Sequence, residues 1–324
     1  MTIAFALLSI VFGLGLLTFA SDWLVEGASS LAKRLRISDL AIGLTIVAFG
    51  TSAPELVVSV VSAIQGNVDI SVANVIGSNI FNILAILGVA AIIYPLRVTK
   101  STIWREIPFA LLAVLVLGFM VNAFRLDGGS DHLISRSDAA ILLGFFVIFL
   151  TYVYGMARHA PKDEADGLPS AEHMPIWKTV IWIIGGLAGL VIGGKFTVDG
   201  AVTVATWFGV SQTLIGLTII AAGTSLPELA TSVQAARKKK DDIAVGNIVG
   251  SNIFNIFLIL GVGGLVRPLP INQGLLFDGA IASAATFLLF ASMFIGRKHK
   301  IDRWQGVGYL LLYVAYVGYL IVRG

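Results

Sequence analysis

The chain has 324 residues, of which 57% are hydrophobic and 13% are charged. Ordinary soluble domains carry about 25% charged residues, so this composition excludes a soluble protein and predicts an integral membrane protein. The absence of cysteine excludes disulfides and thiolate metal sites.

Ten apolar blocks follow one another along the chain, each near the roughly 20 residues that a helix needs to cross a membrane. They cover residues 3–21, 39–64, 70–94, 103–124, 138–157, 176–203, 213–236, 243–267, 273–296 and 304–322. Blocks of this length favour helices over a transmembrane barrel, whose strands run about 9 to 11 residues. The first block lacks the basic start of a secretory signal peptide, so we interpret it as a retained helix. The predicted fold class is an all-α integral membrane protein with ten transmembrane helices.

The basic residues predict the orientation of these helices. Most of the 22 lysines and arginines fall in loops that follow odd-numbered spans, including the run RKKK at 237–240. By the positive-inside rule these loops face the cytoplasm, which places both termini outside the cytoplasm. Because topology explains the basic run, no nucleic-acid partner is expected.

The second and third spans return in the second half of the chain. IGLTIVAFGTSAPEL begins at Ile42 and returns as IGLTIIAAGTSLPEL from Ile215, while NVIGSNIFN from Asn74 returns as NIVGSNIFN from Asn247. Both pairs are separated by 173 residues, so the chain contains an internal duplication. Each half holds five spans, an odd number, and the second half is therefore predicted to enter the membrane from the opposite side.

These features divide the chain into two five-helix repeats of inverted topology. The predicted units are a first repeat at 1–157 with motifs at 42–63 and 74–82, a cytoplasmic linker at 158–175, and a second repeat at 176–324 with motifs at 215–236 and 247–255. Inverted repeats that meet at broken helices near the bilayer midplane are typical of secondary transporters, whose substrate lies between the repeats.

Each GTS-x-PE motif places a carboxylate inside a span. Pro54 and Pro227 cannot donate a backbone hydrogen bond, so they interrupt their helices and leave carbonyl oxygens free. A carboxylate near the bilayer centre costs roughly 2.5 to 3.5 kcal/mol. Neither motif contains a basic residue that could compensate Glu55 or Glu228. The sequence therefore predicts a metal ion bound between the two glutamates.

Polar side chains four residues apart form a stripe along the other repeated motif. They are Asn74, Ser78 and Asn82 in the first repeat and Asn247, Ser251 and Asn255 in the second. With the hydroxyls of the GTS segments, these oxygens suit calcium or sodium and do not suit zinc or copper. Serine and threonine in membrane helices often bond to their own helix instead, and that alternative stays open for each hydroxyl. Asn79 and Asn252 lie off the stripe, where we expect hydrogen bonds between helices.

GTSAPE and GTSLPE, each followed by GSNIFN, resemble the two alpha-repeats of the calcium:cation antiporter superfamily, in particular its prokaryotic sodium/calcium exchanger branch. The resemblance covers essentially the whole chain. It implies that calcium is bound by the carboxylates of Glu55 and Glu228 and by the backbone oxygens of Thr51 and Thr224. It also implies sodium sites at Ala48, Ser52, Ser78, Asn82, Ala221, Ser225 and Ser251, the alanines through their carbonyl oxygens. Asn255 completes the predicted ligand set, although some sodium/calcium exchangers carry aspartate there.

The implied function is that of a secondary antiporter, not an enzyme, which exchanges sodium for calcium by alternating access and needs no cofactor. A proton/calcium exchanger is the alternative, because proton-coupled members also have asparagine at the position of Asn255. Those members typically lack the threonine of the GTS motif, which favours sodium here. A calcium channel would use the same oxygens but usually needs a ring of subunits. The expected partners are calcium, sodium and membrane lipid, and the chain is expected to work as a monomer in the cell (inner) membrane.

Overall fold

The computed structural model describes residues 2–127, 133–158, 174–209 and 221–323. Most of the predicted cytoplasmic linker and the first part of the predicted seventh span lie outside these ranges. Within them the chain is helical, with four two-residue strands. The helices are α1 (Ile3–Leu35), α2 (Asp39–Thr51), α3 (Ala53–Gln65), α4 (Val68–Ile93), α5 (Ile107–Asp127, preceded by a π-helical turn at Thr102–Glu106), α6 (Arg136–Arg158), α7 (Ile176–Trp207), α8 (Ala221–Thr224), α9 (Leu226–Arg237), α10 (Asp241–Val266), α11 (Gln273–Ser292) and α12 (Arg303–Arg323).

Eight of the described helices are long and apolar enough to cross a membrane, and α2 with α3 forms a ninth candidate that bends by 47°. These helices confirm the predicted all-α membrane class. The predicted seventh span is described only from Ala221 onward, so the count of ten stays a prediction.

The short strands join loops from the two halves of the chain. β1 (Leu96–Arg97) pairs with β4 (Lys300–Ile301), and β2 (Leu133–Ile134) pairs with β3 (Leu269–Pro270), both antiparallel. Each pair therefore links one loop of the first half to one loop of the second half.

α4 and α10, which carry the two GSNIFN motifs, form the centre of the molecule. In their apolar windows 78% and 83% of the residues are buried, against 22% in α6 and 28% in α12. The polar stripes on α4 and α10 therefore face other parts of the protein rather than lipid.

α1 and α7, which begin the two predicted repeats, pack closely against each other. Gly13 lies against Thr197 and Gly27 lies against Ile183, so the two helices run antiparallel. A Cβ atom added to Gly13 would lie 2.7 Å from both the Gly193 carbonyl oxygen and the Thr197 backbone nitrogen. The two backbones thus approach each other at a glycine, as small residues allow in membrane helices.

An ion-pair cluster joins α1 to the segment between α9 and α10. Lys238 Nζ lies 2.5 Å from Asp22 Oδ1 and 2.8 Å from Glu26 Oε1, and Lys240 Nζ lies 3.8 Å from Glu26 Oε2. Burial lowers the pKa of Lys238, but the hydrogen bonds to the carboxylates of Asp22 and Glu26 and their negative charges together raise it by more. The pKa of Lys238 therefore lies above its ordinary value. Lys238 thus stays charged at neutral pH and, through Asp22 and Glu26, ties α1 to the segment between α9 and α10.

Gly13→Ala should lower the thermal stability of the purified protein, because the added methyl group meets backbone atoms of α7. Gly15 has open space around its Cβ position on the same helix. Gly15→Ala should leave the melting temperature unchanged or raise it, since glycine in a helix interior costs roughly 0.5–1 kcal/mol relative to alanine. Tryptophan-fluorescence melting curves in detergent measure both effects. Equal melting temperatures for the two variants would contradict the close contact of α1 with α7.

Candidate functional site

The two GTS-x-PE motifs interrupt their helices at a serine. Ser52 separates α2 from α3 with φ −81° and ψ 7°, and Ser225 separates α8 from α9 with φ −90° and ψ 10°. Pro54 and Pro227 each lie in the first turn of the following helix, where a missing N–H costs no hydrogen bond. The predicted break is therefore present in both motifs, and it places each glutamate in the first turn after the break.

Both glutamates are buried, and each is held by the other motif. Glu55 and Glu228 are each 1% exposed. Ser225 Oγ donates to Glu55 Oε1 at 2.8 Å, and Ser52 Oγ donates to Glu228 Oε1 at 2.8 Å. Each carboxylate thus receives a hydrogen bond from the serine 170 or 176 residues away in the chain, and the two broken helices form one site.

The stripe serines belong to the same site. Ser225 Oγ lies 3.1 Å from Ser78 Oγ, and Ser251 Oγ lies 3.4 Å from Glu228 Oε1. Ser78 and Ser251 are fully buried. The structure therefore brings the GTS serines, the stripe serines and the glutamates together, as the sequence predicted.

Four oxygen atoms of this region are buried without a hydrogen-bond partner among the described residues. They are Glu55 Oε2, Glu228 Oε2, Asn82 Oδ1 and Asn255 Oδ1. Each member of the first half has its counterpart in the second half, so the set is not an accident of one side chain. A buried acceptor without a partner costs about 1–3 kcal/mol, and a buried charge without one costs more.

No positively charged side chain compensates the two glutamates in the part of the chain that the structure describes. The ion pairs there involve Asp22, Glu26, Asp278 and Asp302, and none involves Glu55 or Glu228. Carboxylate and amide oxygens are the ligands that hard cations such as sodium and calcium prefer. These oxygen ligands thus fit a hard cation.

Asn74 and Asn247 brace the broken helices. Asn74 Nδ2 donates to Ser59 Oγ at 3.0 Å and to the Glu55 carbonyl at 3.4 Å, while its Oδ1 accepts from Thr224 Oγ1 at 3.2 Å. Both ends of this amide are engaged in hydrogen bonds, so Asn74 positions other groups of the site.

The second half repeats this arrangement. Asn247 Nδ2 donates to Ser232 Oγ at 3.0 Å and to the Glu228 carbonyl at 3.4 Å, and Thr51 Oγ1 donates to Asn247 Oδ1 at 3.1 Å. The sequence placed Asn74 and Asn247 on the polar stripe but could not show that tertiary hydrogen bonds occupy them. The two threonine hydroxyls are also occupied, which leaves the threonine backbone oxygens for the role that the resemblance implied.

The two predicted alanine ligands, Ala48 and Ala221, would bind sodium through their backbone carbonyl oxygens. The Ala48 carbonyl accepts from Ser52 N–H at 3.0 Å. Thr51 Oγ1 lies 3.3 Å from the same carbonyl, but its single proton is donated to Asn247 Oδ1 at 3.1 Å, so one lone pair of the Ala48 carbonyl remains for sodium. Ala221 begins α8, and its side chain lies outside the described residues. Both alanines remain predicted ligands.

Residues 5–155 and 178–322 match the family model described as sodium/calcium exchanger protein. The chain belongs to the sodium/calcium exchanger protein family. Members of this family are membrane transporters, and the ions they carry are cargo rather than cofactors. The exchanger is thus a multi-pass membrane antiporter of calcium and other cations, and not an enzyme.

Relatives cover almost the whole exchanger. It is 33% identical over 340 residues to the sodium/calcium exchanger MaX1 of Methanosarcina acetivorans, covering 96% of this chain and 97% of MaX1. It is 39% identical over 276 residues to the inner membrane protein YrbG of Escherichia coli, covering 83% of this chain and 81% of YrbG. A solved structure of the sodium-calcium exchanger NCX_Mj, soaked with sodium and strontium, superposes with a TM-score of 0.81 at 32% identity and covers 98% of this chain and 99% of that one.

Asn74→Leu and Asn247→Leu should each lower the free energy of unfolding by about 1–3 kcal/mol, because each removes three hydrogen bonds that tie the broken helices together inside the protein. The two losses should be similar, since the two networks are equivalent. Asn122→Leu is the matched control, because Asn122 Nδ2 bonds to the Gly118 carbonyl of its own helix, at 2.8 Å. Denaturation of the purified variants measures the three effects, and a loss in Asn122→Leu as large as in Asn74→Leu would contradict the bracing role.

Proposed function

We propose that the exchanger moves calcium in one direction and sodium in the other by alternating access, with both ions using the oxygens around Glu55 and Glu228. The observation that carries this proposal is the set of four buried oxygens without a partner among the described residues, Glu55 Oε2, Glu228 Oε2, Asn82 Oδ1 and Asn255 Oδ1. A cation bound among them would supply the partner that the protein itself does not provide.

The proposed ligands divide between the two ions. Calcium is bound by the carboxylates of Glu55 and Glu228 and the backbone oxygens of Thr51 and Thr224. Sodium is bound at Ala48, Ser52, Ser78, Asn82, Ala221, Ser225 and Ser251. The open side-chain oxygens of Asn82 and Asn255 are shared, and each contributes to the binding of either ion. The two sets share one small region, because Ser52 and Ser225 already contact the two carboxylates. Shared ligands make calcium and sodium exclude each other.

Charge explains why the ions exchange instead of crossing singly. Two ionised glutamates carry a charge of −2, which one calcium or two sodium ions cancel. An empty site would take this charge through a barrier of low dielectric constant, where an uncompensated carboxylate is expensive. The loaded forms, but not the empty form, are thus expected to change their access from one side to the other.

Sodium is favoured over protons as the coupling ion. Thr51 and Thr224 keep the GTS motif that the sodium-coupled branch carries, and both relatives named as exchangers above, MaX1 and NCX_Mj, are sodium/calcium exchangers by name. The competing proposal, proton/calcium exchange, draws on Asn255, which leaves the site with two carboxylates and not three. A calcium channel is the third candidate, and it is disfavoured because one chain supplies the oxygens without a ring of subunits.

The proposal includes the predicted architecture: ten helices, two inverted repeats at 1–157 and 176–324, and a cytoplasmic linker at 158–175. The antiparallel contact of α1 with α7 supports inversion, since these helices are counterparts in the duplication. The name of YrbG supports an inner-membrane location, and the positive-inside rule supports termini outside the cytoplasm. A single chain holds every proposed ligand, which supports a functional monomer surrounded by lipid.

Glu55→Gln and Glu228→Gln should each abolish calcium uptake into sodium-loaded proteoliposomes that are diluted into sodium-free buffer. Each substitution removes half of the negative charge that binds calcium while keeping the shape of the side chain. Asp69→Asn is the control, because Asp69 is an exposed carboxylate of the same predicted repeat and should leave uptake intact. Normal uptake by either glutamine variant would contradict the proposal that calcium binds at Glu55 and Glu228.

A parallel set of vesicles that carries only a pH gradient separates the candidates. Uptake that requires internal sodium supports sodium/calcium exchange. Uptake with the pH gradient alone would move the protein to the proton-coupled branch. A calcium leak that needs neither gradient would favour the channel.

A further inference from the structure

Four asparagines, Asn79, Asn82, Asn252 and Asn255, form a closed hydrogen-bonded group where α4 meets α10. Asn82 Nδ2 donates to Asn252 Oδ1 at 3.0 Å, and Asn255 Nδ2 donates to Asn79 Oδ1 at 2.9 Å. Asn79 Nδ2 donates to the Asn252 carbonyl at 3.3 Å, and Asn252 Nδ2 donates to the Asn79 carbonyl at 3.4 Å. We call this group the asparagine quartet. All four side chains are at most 3% exposed, so water does not compete for these bonds.

The backbone fixes the direction of every bond in the quartet. A backbone carbonyl can only accept, so Asn79 and Asn252 must each turn their NH2 group toward the carbonyl of the other. Their side-chain oxygens then point the opposite way, and an oxygen in that place requires a donor. Asn255 meets that need for Asn79, and Asn82 meets it for Asn252, each with its own NH2 group.

The free end of each outer amide follows from this chain of bonds. Because the NH2 groups of Asn82 and Asn255 are used inside the quartet, their Oδ1 atoms must point away from it. These are two of the four buried oxygens without a partner among the described residues. In the opposite orientation the same residues would present an NH2 group, with positive partial charge, to a cation.

We infer that Asn79 and Asn252 are positioning residues that decide the amide orientation of Asn255 and Asn82, and so make both of them cation acceptors. The inference rests on the proposed function, since it assigns Asn82 and Asn255 to the cation site. The side-chain and carbonyl oxygens of Asn79 and Asn252 are engaged inside the quartet. They act on cation affinity through the side chain that each one orients.

Orientation matters because both outer residues are amides. An aspartate at position 255 would offer an oxygen in either rotamer, so it would need no orienting partner. A carboxylate oxygen in the place of the Asn255 Nδ2 atom would instead face the Asn79 oxygen, and two acceptors would then meet at the distance of a hydrogen bond. Asn79 thus holds an asparagine at position 255 in the orientation that accepts a cation, whereas it would destabilise an aspartate at that position.

A double-mutant cycle in the full-length protein tests this inference with radioactive calcium binding to the purified transporter. Leucine has nearly the same shape as asparagine but lacks the acceptor oxygen. Asn79→Leu should therefore release the Asn255 amide and weaken calcium binding roughly tenfold. In the Asn255→Asp background the same Asn79→Leu change should leave calcium affinity unchanged or increase it. Asn252→Leu should reproduce the loss through Asn82, independently of the residue at position 255.

A purely structural role predicts a different outcome. If Asn79 only holds α4 against α10, Asn79→Leu lowers calcium affinity and thermal stability by the same factor in both backgrounds, and that result would overturn the inference. Wild-type affinity in Asn79→Leu would overturn it as well. If Asn79→Leu does not fold, the same double-mutant cycle is measured with Asn252→Leu in the wild-type and Asn82→Asp backgrounds.

Glu55→Gln in the same binding assay distinguishes failure of the positioning role from failure of the proposed function. Loss of calcium binding in Glu55→Gln, together with an Asn79→Leu variant that binds normally, overturns the positioning role and leaves the proposed function standing. Normal binding by Glu55→Gln overturns both, because the quartet would then orient oxygens toward a site that calcium does not use.

Discussion

The structure depends on one electrostatic constraint: two carboxylates, Glu55 and Glu228, are buried in the interior of a membrane protein without a positively charged partner among the described residues. Burial of a charge is tolerated only when other groups stabilise it. Serines donate hydrogen bonds to one oxygen of each carboxylate, one bond to Glu55 and two to Glu228, and the other oxygen of each carboxylate stays open. The protein alone thus does not fully stabilise the two carboxylates. In an antiporter, the cation that completes this stabilisation is the transported ion.

The hydrogen bonds of the site run between the halves of the chain more than within them. Ser52 bonds to Glu228 and Ser225 bonds to Glu55, so neither half forms its carboxylate environment alone. The asparagine quartet ties α4 to α10 in the same reciprocal way. A duplicated chain that exchanges contacts in this manner builds a pseudo-symmetric site from two copies of a simple motif.

The outer parts of the molecule share this symmetry only in part. α1 and α7 meet through closely packed glycines on both sides of the duplication, since Gly13 and Gly186 are counterparts and both approach backbone atoms. The ion-pair cluster of Lys238 with Asp22 and Glu26 has no such counterpart among the described residues. In the other half these three positions are held by Gln65, Lys195 and Asp199, of which Lys195 and Asp199 are exposed. The two ends of the transporter are therefore chemically different although its centre is duplicated.

The sequence by itself determined the membrane class, the duplication, the helix breaks and the two glutamates, because each of these follows from residue types and their order along the chain. Length and apolarity define a span, proline at a fixed place ends a helix, and identical motifs 173 residues apart need no structure to be seen. Only the tertiary structure decided which oxygens are free. Asn74 and Asn82 lie on the same stripe and look alike in the sequence, yet hydrogen bonds occupy both ends of the first amide and leave the second with an open oxygen. The reason is physical: a hydrogen-bond partner about 150 to 176 residues away is fixed by packing between helices, and no local pattern records it.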